Sequence, residues 1–511
     1  MLTYVSVGGG MRGNIADVVV VGGGGTGLMS AYAAARHGRS VIVLEKGEQL
    51  GGTTRLSVGT ICASSTELQK KAGIDDDPDS HFRDMELFFG SLSNRDNREL
   101  RRILVDEIPE TIAILTDLGV EFMGPLPEPP HQKPRLHAII PHSRGFIVHL
   151  EKACRKLGVQ FLIETSADRL IVEGERVIGV QARTRGSKDT RIFTARRGVI
   201  IASGDFSSAE LAYKQKYMSG PLLEIAGVNP LSTGDGQKMG EAVGASVVNG
   251  DLAWGPEIRF KAPPNPSPIS RLPVSRWVAR SVNLAIRTLP QKVIRPFLLG
   301  FVTTFLAPSP KIFSEGAILI NHNGQRFCDE LDRPQDWIGR QPQQEAFIVF
   351  DHAIAQKFAQ WPFYISTAPG VGYAYLDDYA RSRPDVYHKA DTLAELAAKL
   401  KLSKDKFLTS VAECNAARSA SSAGVAALST GPFYALGPAI SWIVFSEGGL
   451  KIDNQFRVLN QQNEPIEGLY AAGSAGQGGV LLEGHGHHLA WAFTSGRLAG
   501  RKAAIAAPIN G

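Results

Sequence analysis

Apolar positions near the start of the chain fall into two short strands separated by a helix. Asp17 to Val21 is a β-branched run that ends in glycines, and it predicts a buried parallel strand. Residues 28–37 are small and mostly apolar and predict a helix, whereas Val41 to Leu44 predicts a second buried strand. Strand, turn, helix and strand within about 30 residues form a βαβ unit.

Hydrophobic periodicity continues along the chain and changes character near residue 251, where proline, arginine and bulky apolar residues become frequent. Strands are predicted at 158–163, 197–202, 346–351, 450–459 and 468–472, a hairpin over 169–184, and helices at 101–118, 146–156, 392–401 and 487–503.

Length and composition restrict the class of protein. The 511 residues exceed the roughly 50–250 of a single domain, so we expect two domains. A net charge of only +5, without a basic run interleaved with aromatics, argues against a nucleic-acid partner. The four cysteines are far apart and form no CxxC, so neither a zinc site nor a disulfide framework is indicated. With no apolar secretory signal at the N-terminus, a reducing, cytoplasmic location is expected.

A glycine-rich turn follows the first predicted strand and opens the first predicted helix. Residues 22–27 match GxGxxG, in which Gly22 permits the tight turn, Gly24 lets the backbone approach a pyrophosphate and Gly27 lets the helix pack on the strand. The phosphates then face the positive end of the helix. Glu45, at the end of the second strand, is placed to accept hydrogen bonds from ribose hydroxyls. This context predicts a dinucleotide site, for NAD or for FAD.

Motifs spread over nearly the whole chain distinguish these two cofactors. They are, in order, DVVVVGGGGTG, VLEKGEQLGGTT, VIIASGDF, STGDGQKMGEAVGA, NGQRFCDE, ADTLAELAAKL and GLYAAG followed by SGRLAGR. Together they resemble the flavoprotein family that contains soluble fumarate reductases, the flavoprotein subunit of succinate dehydrogenase, urocanate reductases and 3-ketosteroid dehydrogenases. The resemblance implies FAD as the cofactor. Because Thr53, Thr54 and Arg55 include no histidine to which flavin could be attached, we expect non-covalent binding.

The resemblance also implies a fold and a set of FAD-binding residues. The fold is α/β: a Rossmann-like FAD domain of the glutathione-reductase type in two sequence pieces, 1–250 and 440–511, with an inserted α+β cap domain, 251–439, that holds the substrate. The last helix is expected to begin against the flavin, where its free N–H groups stabilise negative charge. The implied FAD-binding residues are Gly22, Gly24, Gly25, Thr26, Gly27, Glu45, Lys46, Gly52, Thr53, Thr54, Ser57, Gly59, Ala167, Ser203, Gly204, Asp235, Gly473, Ser474, His488 and Leu489.

The side chains with which fumarate reductases hold a dicarboxylate are mostly missing. By motif, one histidine is expected near Trp254 and another at Phe445 or Ser446, and neither is present. A clamping arginine falls at Glu483, whose carboxylate would repel a dianion, whereas the proton-donor arginine falls within one position of Arg333. Fumarate and succinate are therefore not the expected substrates.

Candidate catalytic residues come from the C-terminal turn and the cap domain. The tyrosines that ketosteroid dehydrogenases use are not matched, and Tyr434 is one of the remaining phenols. The turn LLEGHGHH contains Glu483 and His485, for which we expect general acid–base chemistry. Its last two histidines either cap the helix or contact flavin, and H-x-H-H is not a standard ligand pattern, so no metal is predicted. Arg333 either donates a proton or forms a salt bridge with Asp332 or Glu330 on a surface loop.

Residues 269–310 form a basic, apolar insert. Its apolar run at 297–307 is shorter than the roughly 20 residues that span a bilayer. Three interpretations remain open: a peripheral membrane contact, a hydrophobic substrate entrance, or an amphipathic cap-domain helix packed on the core or on a second subunit.

The predicted function is FAD-dependent oxidoreduction at a CH–CH bond. We expect desaturation α,β to a carbonyl of a hydrophobic cyclic ketone or steroid-like substrate, with an unidentified electron acceptor or donor. The alternatives are reduction of an activated C=C bond and a non-catalytic flavin-binding redox protein.

Overall fold

The computed structural model describes residues 14–263, 271–290, 303, 307–368, 372–420 and 426–509. In these residues the α-helices are Gly25–Arg36, Gly52–Leu56, Glu67–Lys71, Pro78–Phe89, Arg98–Asp117, Arg144–Lys156, Leu211–Gln215, Asp235–Glu241, Arg276–Thr288, Lys311–Ser314, Gln335–Ile338, His352–Lys357, Leu376–Ser382, Leu393–Leu400, Lys404–Ala420 and His487–Ile505. Short 3-10 helices are Gly90–Arg95, Gly220–Leu223, Pro342–Gln344 and Gly473–Gly476.

The strands form several sheets, of which two are large. They are Ile15–Val21, Val41–Leu44, Thr60–Cys62, Glu121–Leu126, Leu136–Ile140, Gln160–Leu162, Thr165–Glu173, Arg176–Thr184, Thr190–Ile201, Val247–Val248, Ala253–Trp254, Glu257–Phe260, Ile318–Asn321, Glu345–Phe350, Ser366–Ala368, Gly372–Ala374, Tyr387–Ala390, Phe433–Trp442, Phe445–Ser446, Gly449–Leu450, Arg457–Leu459 and Pro465–Ala471.

The first large sheet has eight strands, and its centre is parallel. Ile15–Val21 pairs with Val41–Leu44 on one side and Thr190–Ile201 on the other, and Thr190–Ile201 also pairs in parallel with Pro465–Ala471. Parallel strands end at one edge of a sheet, so the turns after residues 21, 44, 201 and 471 meet there. The last of these strands comes from the C-terminal piece of the chain, which completes the sheet.

The second large sheet is antiparallel and lies within the inserted segment. Its order is Glu257–Phe260, Phe433–Trp442, Glu345–Phe350 and Ile318–Asn321, with Tyr387–Ala390 also paired to Phe433–Trp442. The buried hydrophobic residues accordingly form two large clusters, one drawn from residues 16–245 and 450–504 and the other from residues 258–439. We retain the boundaries near residues 250 and 440 as a proposal.

Most elements lie where the hydrophobic pattern predicts them. The predicted hairpin over 169–184 is confirmed, with its turn between Glu173 and Arg176, and so is the final helix. The prediction of one strand over 450–459 is wrong. Asp453 interrupts it because its side chain accepts hydrogen bonds from the backbone of Gln455 and Arg457, which closes a turn between two short strands.

The basic insert lies partly outside the described residues, including 297–302. Its described helix, Arg276–Thr288, joins the body of the protein through salt bridges from Arg276 and Arg280 to Glu121, and it leaves Trp277 80% exposed. None of the described helices is both long and apolar enough to cross a bilayer. Contact of this insert with a membrane surface, a substrate or another subunit stays a prediction.

Candidate active site

A deep cavity opens at the carboxyl edge of the parallel sheet, and we call it the glycine-lined cavity. It lies between the glycine-rich turn, the segment after Glu45, the end of strand Thr190–Ile201 and the start of the final helix. All the predicted cofactor-binding residues line it except Gly27, Gly59 and Gly473. Residues that are distant along the chain thus converge on one space, as the resemblance implied.

The glycine-rich turn has the close approaches that its sequence predicts. A Cβ atom at Gly27 would lie 1.9 Å from the carbonyl oxygen of Gly22, so only glycine lets the first helix pack this closely on the strand. Gly22 itself has φ +106°, a left-handed conformation that glycine adopts without strain. A Cβ at Gly24 would meet no atom closer than the Gly51 oxygen at 3.9 Å, so this part of the turn faces open space. Such a cradle suits a pyrophosphate.

Glu45 stands at the edge of the cavity with its carboxylate fixed in place. Its Oε2 accepts a hydrogen bond of 2.7 Å from the N–H of Gly23, and Oε1 accepts one of 2.6 Å from the N–H of Gly47. The side chain is 8% exposed and lines the cavity. Each oxygen retains a lone pair, so the carboxylate can also accept from ribose hydroxyls.

Two further features of the cavity wall favour a polar ligand. Ser203 Oγ is buried, lines the cavity, and forms no hydrogen bond with the described residues, which leaves a donor for a ligand. Lys46 Nζ lies 2.7 Å from Asp235 Oδ2 at the opposite rim, which ties the segment after Glu45 to helix Asp235–Glu241. The Ser203 hydroxyl without a hydrogen-bond partner among the described residues and the open glycine-rich turn are both compatible with bound FAD.

Three predicted cofactor-binding residues do not line this cavity: Gly27 and Gly473 allow close packing, and Gly59 lies elsewhere. Gly27 supports helix packing, as described above. A Cβ at Gly473 would lie 2.3 Å from Thr26 Oγ1, so Gly473 lets the C-terminal turn approach the first helix. Gly59 lies beyond the cavity, in the wall of its neighbour.

The final helix begins against the inner end of the glycine-lined cavity. Its N-cap, Gly486, has φ +88° and supplies no side-chain cap, so the first N–H groups of the helix remain available for a ligand. His488 and Leu489 in its first turn line the cavity, and His488 Nε2 lies 3.1 Å from Glu447 Oε1. The positive end of a 19-residue helix therefore faces the cavity, which favours negative charge there.

A second space, the interdomain cavity, lies between the two hydrophobic cores and joins the first. Both cavities share Leu56, Ser57, Val228, Val444, Phe445, His488 and Leu489 as lining residues. The interdomain cavity has a volume of about 570 Å³, which is within the roughly 300–1,000 Å³ of small-molecule sites. Its walls are mostly apolar and include Trp254, Phe260 and Trp442.

His485 is the predicted catalytic residue that the structure places in the interdomain cavity. Its Nδ1 donates to Glu128 Oε1 at 2.5 Å, and half of its side chain is exposed. The hydrogen bond to Glu128 raises the pKa of His485, with the nearby carboxylates adding to the effect and burial opposing it. This pair fixes the imidazole tautomer and leaves Nε2 with a lone pair to accept a proton.

Sequence reasoning missed four charged residues in the same cavity, Glu257, Arg259, Lys261 and Glu345, of which the first two lie on one strand. The Arg259 guanidinium pairs with Glu257 Oε2 at 2.5 Å, and Trp254 Nε1 donates to Glu257 Oε1 at 2.9 Å. Both charges project from strand Glu257–Phe260, three to five residues beyond the point where a substrate-binding histidine was sought. The alternation of Glu257, Ile258, Arg259 and Phe260 between polar and apolar residues was the available signal.

The remaining catalytic candidates lie outside the lining of both cavities. Glu483 is half-buried, and burial followed by the charge of Glu447 raises its pKa. Arg333 is on the surface and pairs with Asp336 at 2.6 Å, so the salt-bridge interpretation holds with a different partner. Tyr434 is buried in the cap sheet, where its ring stacks on Phe350. None of these three residues lines either cavity, and their catalytic roles stay predictions.

Comparison with known proteins agrees with this arrangement. The FAD binding domain family FAD_binding_2 matches residues 17–262 and 307–482. The chain is 27% identical to the NADH:fumarate oxidoreductase of Klebsiella pneumoniae, over 96% of this chain and 47% of that protein, so it spans about half of that relative. It is 25% identical to the 3-oxosteroid 1-dehydrogenase of Mycolicibacterium smegmatis, over 96% of this chain and 97% of that protein.

Among solved structures, the open conformation of a flavocytochrome c3 fumarate reductase is similar with a TM-score of 0.70 and 21% identity, over 96% of this chain and 78% of that one. This likeness confirms the α/β fold with its FAD domain and inserted cap. The family model covers most of the chain in two pieces, and the glycine-lined cavity fits the cofactor that the family is named for. The chain therefore belongs to the FAD binding domain family and is a flavoprotein oxidoreductase with FAD as its cofactor.

Proposed function

We propose that this protein desaturates a CH–CH bond α,β to the carbonyl of an apolar cyclic ketone. One observation carries the proposal: a largely apolar cavity meets the glycine-lined cavity at His488 and Leu489 and contains His485 in its wall. A substrate there would lie beside the flavin end of the cofactor, with a proton acceptor within the same cavity. Relatives named as a 3-oxosteroid 1-dehydrogenase and a 4-oxocyclohexanecarboxylate 2-dehydrogenase support a cyclic ketone.

The residues of the interdomain cavity have complementary roles in this reaction. His485 Nε2 takes the acidic α-proton of the substrate, and Glu128 holds the imidazole in the tautomer that makes Nε2 the acceptor. Arg259 polarises the carbonyl, which acidifies the α-proton, while Glu257 orients the guanidinium. The apolar walls exclude water from the reacting carbons. Bound FAD supplies the acceptor for the hydride from the β-carbon.

The same residues can run the reaction in the opposite direction, as reduction of an activated C=C bond. Protonated His485 then returns the proton, and the available electron donor decides the direction. A relative named as a vinyl phenol reductase supports this second candidate. A non-catalytic flavin-binding redox protein is the third candidate, and it requires no response of the flavin to either class of compound.

An anaerobic titration of the FAD-loaded protein distinguishes the three candidates. We expect cyclic ketones, including 3-oxosteroids, to bleach the flavin without any added reductant. If enones reoxidise a chemically reduced flavin and ketones do not bleach the oxidised flavin, the protein is the reductase instead. No response to either series would leave the binding role and overturn the enzymatic proposal.

The role of His485 is tested by His485→Gln, which keeps the size of the side chain. General base catalysis contributes about 10²–10⁴-fold, so we expect flavin reduction by an active ketone to slow by at least about 100-fold, with FAD content unchanged. The matched control is His388→Gln in the cap sheet, whose ring contacts the Gly437 oxygen away from both cavities. Equal rates in His485→Gln and in the control would show that His485 is not the base.

A further inference from the structure

Four buried side chains converge at one point beneath the start of the final helix, outside the lining of both cavities. They are Cys62, His81, His131 and His487, and none is more than 7% exposed. Cys62 ends strand Thr60–Cys62, His81 belongs to helix Pro78–Phe89, His131 lies in the loop after strand Glu121–Leu126, and His487 begins the final helix. We call them the Cys–His₃ cluster.

The spacing of their ligand atoms is close to that of a tetrahedral metal site. His487 Nε2 lies 3.3 Å from His81 Nε2 and 3.2 Å from His131 Nε2, while Cys62 Sγ lies 3.6 Å and 3.3 Å from the same two nitrogens. All the ligand atoms are within 4.8 Å of one another. Tetrahedral zinc, with Zn–N of about 2.0–2.1 Å and Zn–S of about 2.3 Å, separates nitrogens by about 3.3 Å and sulfur from nitrogen by about 3.6 Å.

Hydrogen bonds alone do not satisfy these contacts. His487 Nδ1 donates to the Glu483 carbonyl at 2.6 Å, so its Nε2 presents a lone pair to the cluster. At most three protons, from Cys62, His81 and His131, then serve four close contacts between ligand atoms. One contact remains repulsive in a metal-free cluster, whereas one cation at the centre attracts all four lone pairs.

The charges around the cluster also favour a cation. Arg135, beside His131, forms buried salt bridges with Asp76 at 2.7 Å and with Asp84 at 2.5 Å. With a neutral thiol these three groups carry one net negative charge out of water, which is costly. A divalent metal with the Cys62 thiolate adds one positive charge and neutralises the group.

Metal binding displaces three protons: the Cys62 thiol releases its proton to solvent, and His81 and His131 carry their imidazole protons on Nδ1 instead of Nε2. Arg135 Nη1 now donates to His131 Nδ1 at 2.9 Å, which keeps the imidazole proton on Nε2. With His131 bound through Nε2 its proton lies on Nδ1, so Arg135 Nη1 must turn away and Asp84 Oδ2, which lies 3.8 Å from Nδ1, must move closer to accept it.

We propose that Cys62, His81, His131 and His487 bind one divalent metal ion, with Zn²⁺ as the fitting ion, in a closed structural site. Four protein ligands complete a tetrahedron and leave no position for substrate, and the site lies outside both cavities. The ion would join four separate segments of the chain.

The position of the site gives it an effect on the active site. The backbone N–H of Cys62 donates to the Gly486 oxygen at 3.2 Å, and His487 lies between His485 and His488, which both line the interdomain cavity. Fixing His487 therefore fixes the turn that carries the proposed base and the helix end that faces the flavin. The expectation of no zinc site, drawn from the cysteine spacing, is revised by this proposal.

Metal analysis of the tag-free, FAD-loaded protein tests the site independently of activity. We expect about one zinc per chain by mass spectrometry, and X-ray absorption at the zinc edge with one sulfur and three nitrogen neighbours. FAD content is measured on the same sample, so failure of the metal site and failure of the flavin function are separate results.

Variants assign the metal to these residues. Cys62→Ser and His81→Gln should lower zinc content at least several-fold, whereas Cys154→Ser, at an equally buried cysteine outside the cluster, should retain it. If these variants do not fold, the absorption spectrum of the unaltered protein decides. The proposal would be overturned by two results together on protein produced in zinc-supplemented medium. The protein would contain no stoichiometric metal, and its thermal unfolding would not change with added Zn²⁺ or chelator.

Discussion

At the scale of single residues, Glu45 shows how a sequence motif becomes a binding group. Its carboxylate is held by the N–H groups of Gly23 and Gly47, so the orientation is set before any ligand arrives. Pre-orientation lowers the entropy lost on binding, and charge-assisted hydrogen bonds to ribose hydroxyls are stronger than neutral ones.

We predict that Glu45→Ala lowers the affinity for FAD at least about tenfold, because it removes an acceptor that is worth about 1.5–3 kcal/mol. Fluorescence titration of flavin into the apoprotein measures the change. Glu48→Ala is the matched control, since that exposed carboxylate pairs with Arg185 outside the cavity. An unchanged Kd in Glu45→Ala would contradict the assignment of this residue.

Acid precipitation of the unaltered protein should release all of its flavin, because we expect the attachment to be non-covalent.

Lys214 provides a test of the electrostatics of the fold. It is 3% exposed, its Nζ donates to the Ile225 oxygen at 2.8 Å, and burial lowers its pKa to about 8. Below pH 8 the lysine is charged in both the folded and the unfolded state, so the fold carries the full desolvation penalty. Between pH 8 and the unfolded value of 10.5 the unfolded chain binds more protons, and stability rises with pH.

We therefore predict that Lys214→Met changes the pH dependence of stability. The Tm of the variant relative to the unaltered protein should fall as pH increases from 8 to 10.5, by the equivalent of up to ~3 kcal/mol. Thermal unfolding of both FAD-loaded proteins across this range measures the difference. A difference in Tm that stays constant with pH would show that the buried lysine titrates normally.

At the scale of elements, the final helix connects the cofactor, the substrate cavity and the Cys–His₃ cluster. Its first turn lines both cavities through His488 and Leu489, while His487 turns inward to the cluster. The hydrophobic pattern predicted this helix, and the resemblance to the flavoprotein family implied its position at the flavin. The different directions of His487 and His488 follow from helical geometry, which rotates adjacent side chains by about 100°.

We predict that a negative charge in this first turn makes the bound flavin harder to reduce. Leu489→Glu should have a midpoint potential about 10–30 mV lower than Leu489→Gln, which has the same length without the charge, because the acid opposes negative charge on the reduced ring. Spectroelectrochemistry of the two FAD-loaded variants makes the comparison. Equal potentials would show that the helix end does not face the flavin.

At the scale of the whole molecule, local sequence was sufficient for the cofactor domain and insufficient for the substrate site. The turn from Gly22 to Gly27 and the acid at Glu45 lie within one βαβ unit, so their spacing alone predicts their proximity. Glu128 and His485 are 357 residues apart and meet within the FAD domain, whereas Arg259 lines the same cavity from the cap sheet. The Cys–His₃ cluster, from residues 62 to 487, is likewise a product of tertiary structure.

We infer above all that the protein removes one hydrogen from each of two adjacent carbons, or adds them in the reverse direction. The most direct measurement is an anaerobic single turnover with a ketone that bleaches the flavin, followed by mass spectrometry of the product. We predict a product two mass units lighter, an α,β-unsaturated ketone, in an amount equal to the flavin reduced. The account would be contradicted if the flavin bleached but the product kept all its hydrogens at these carbons. It would also be contradicted if no ketone bleached the flavin and no enone reoxidised it.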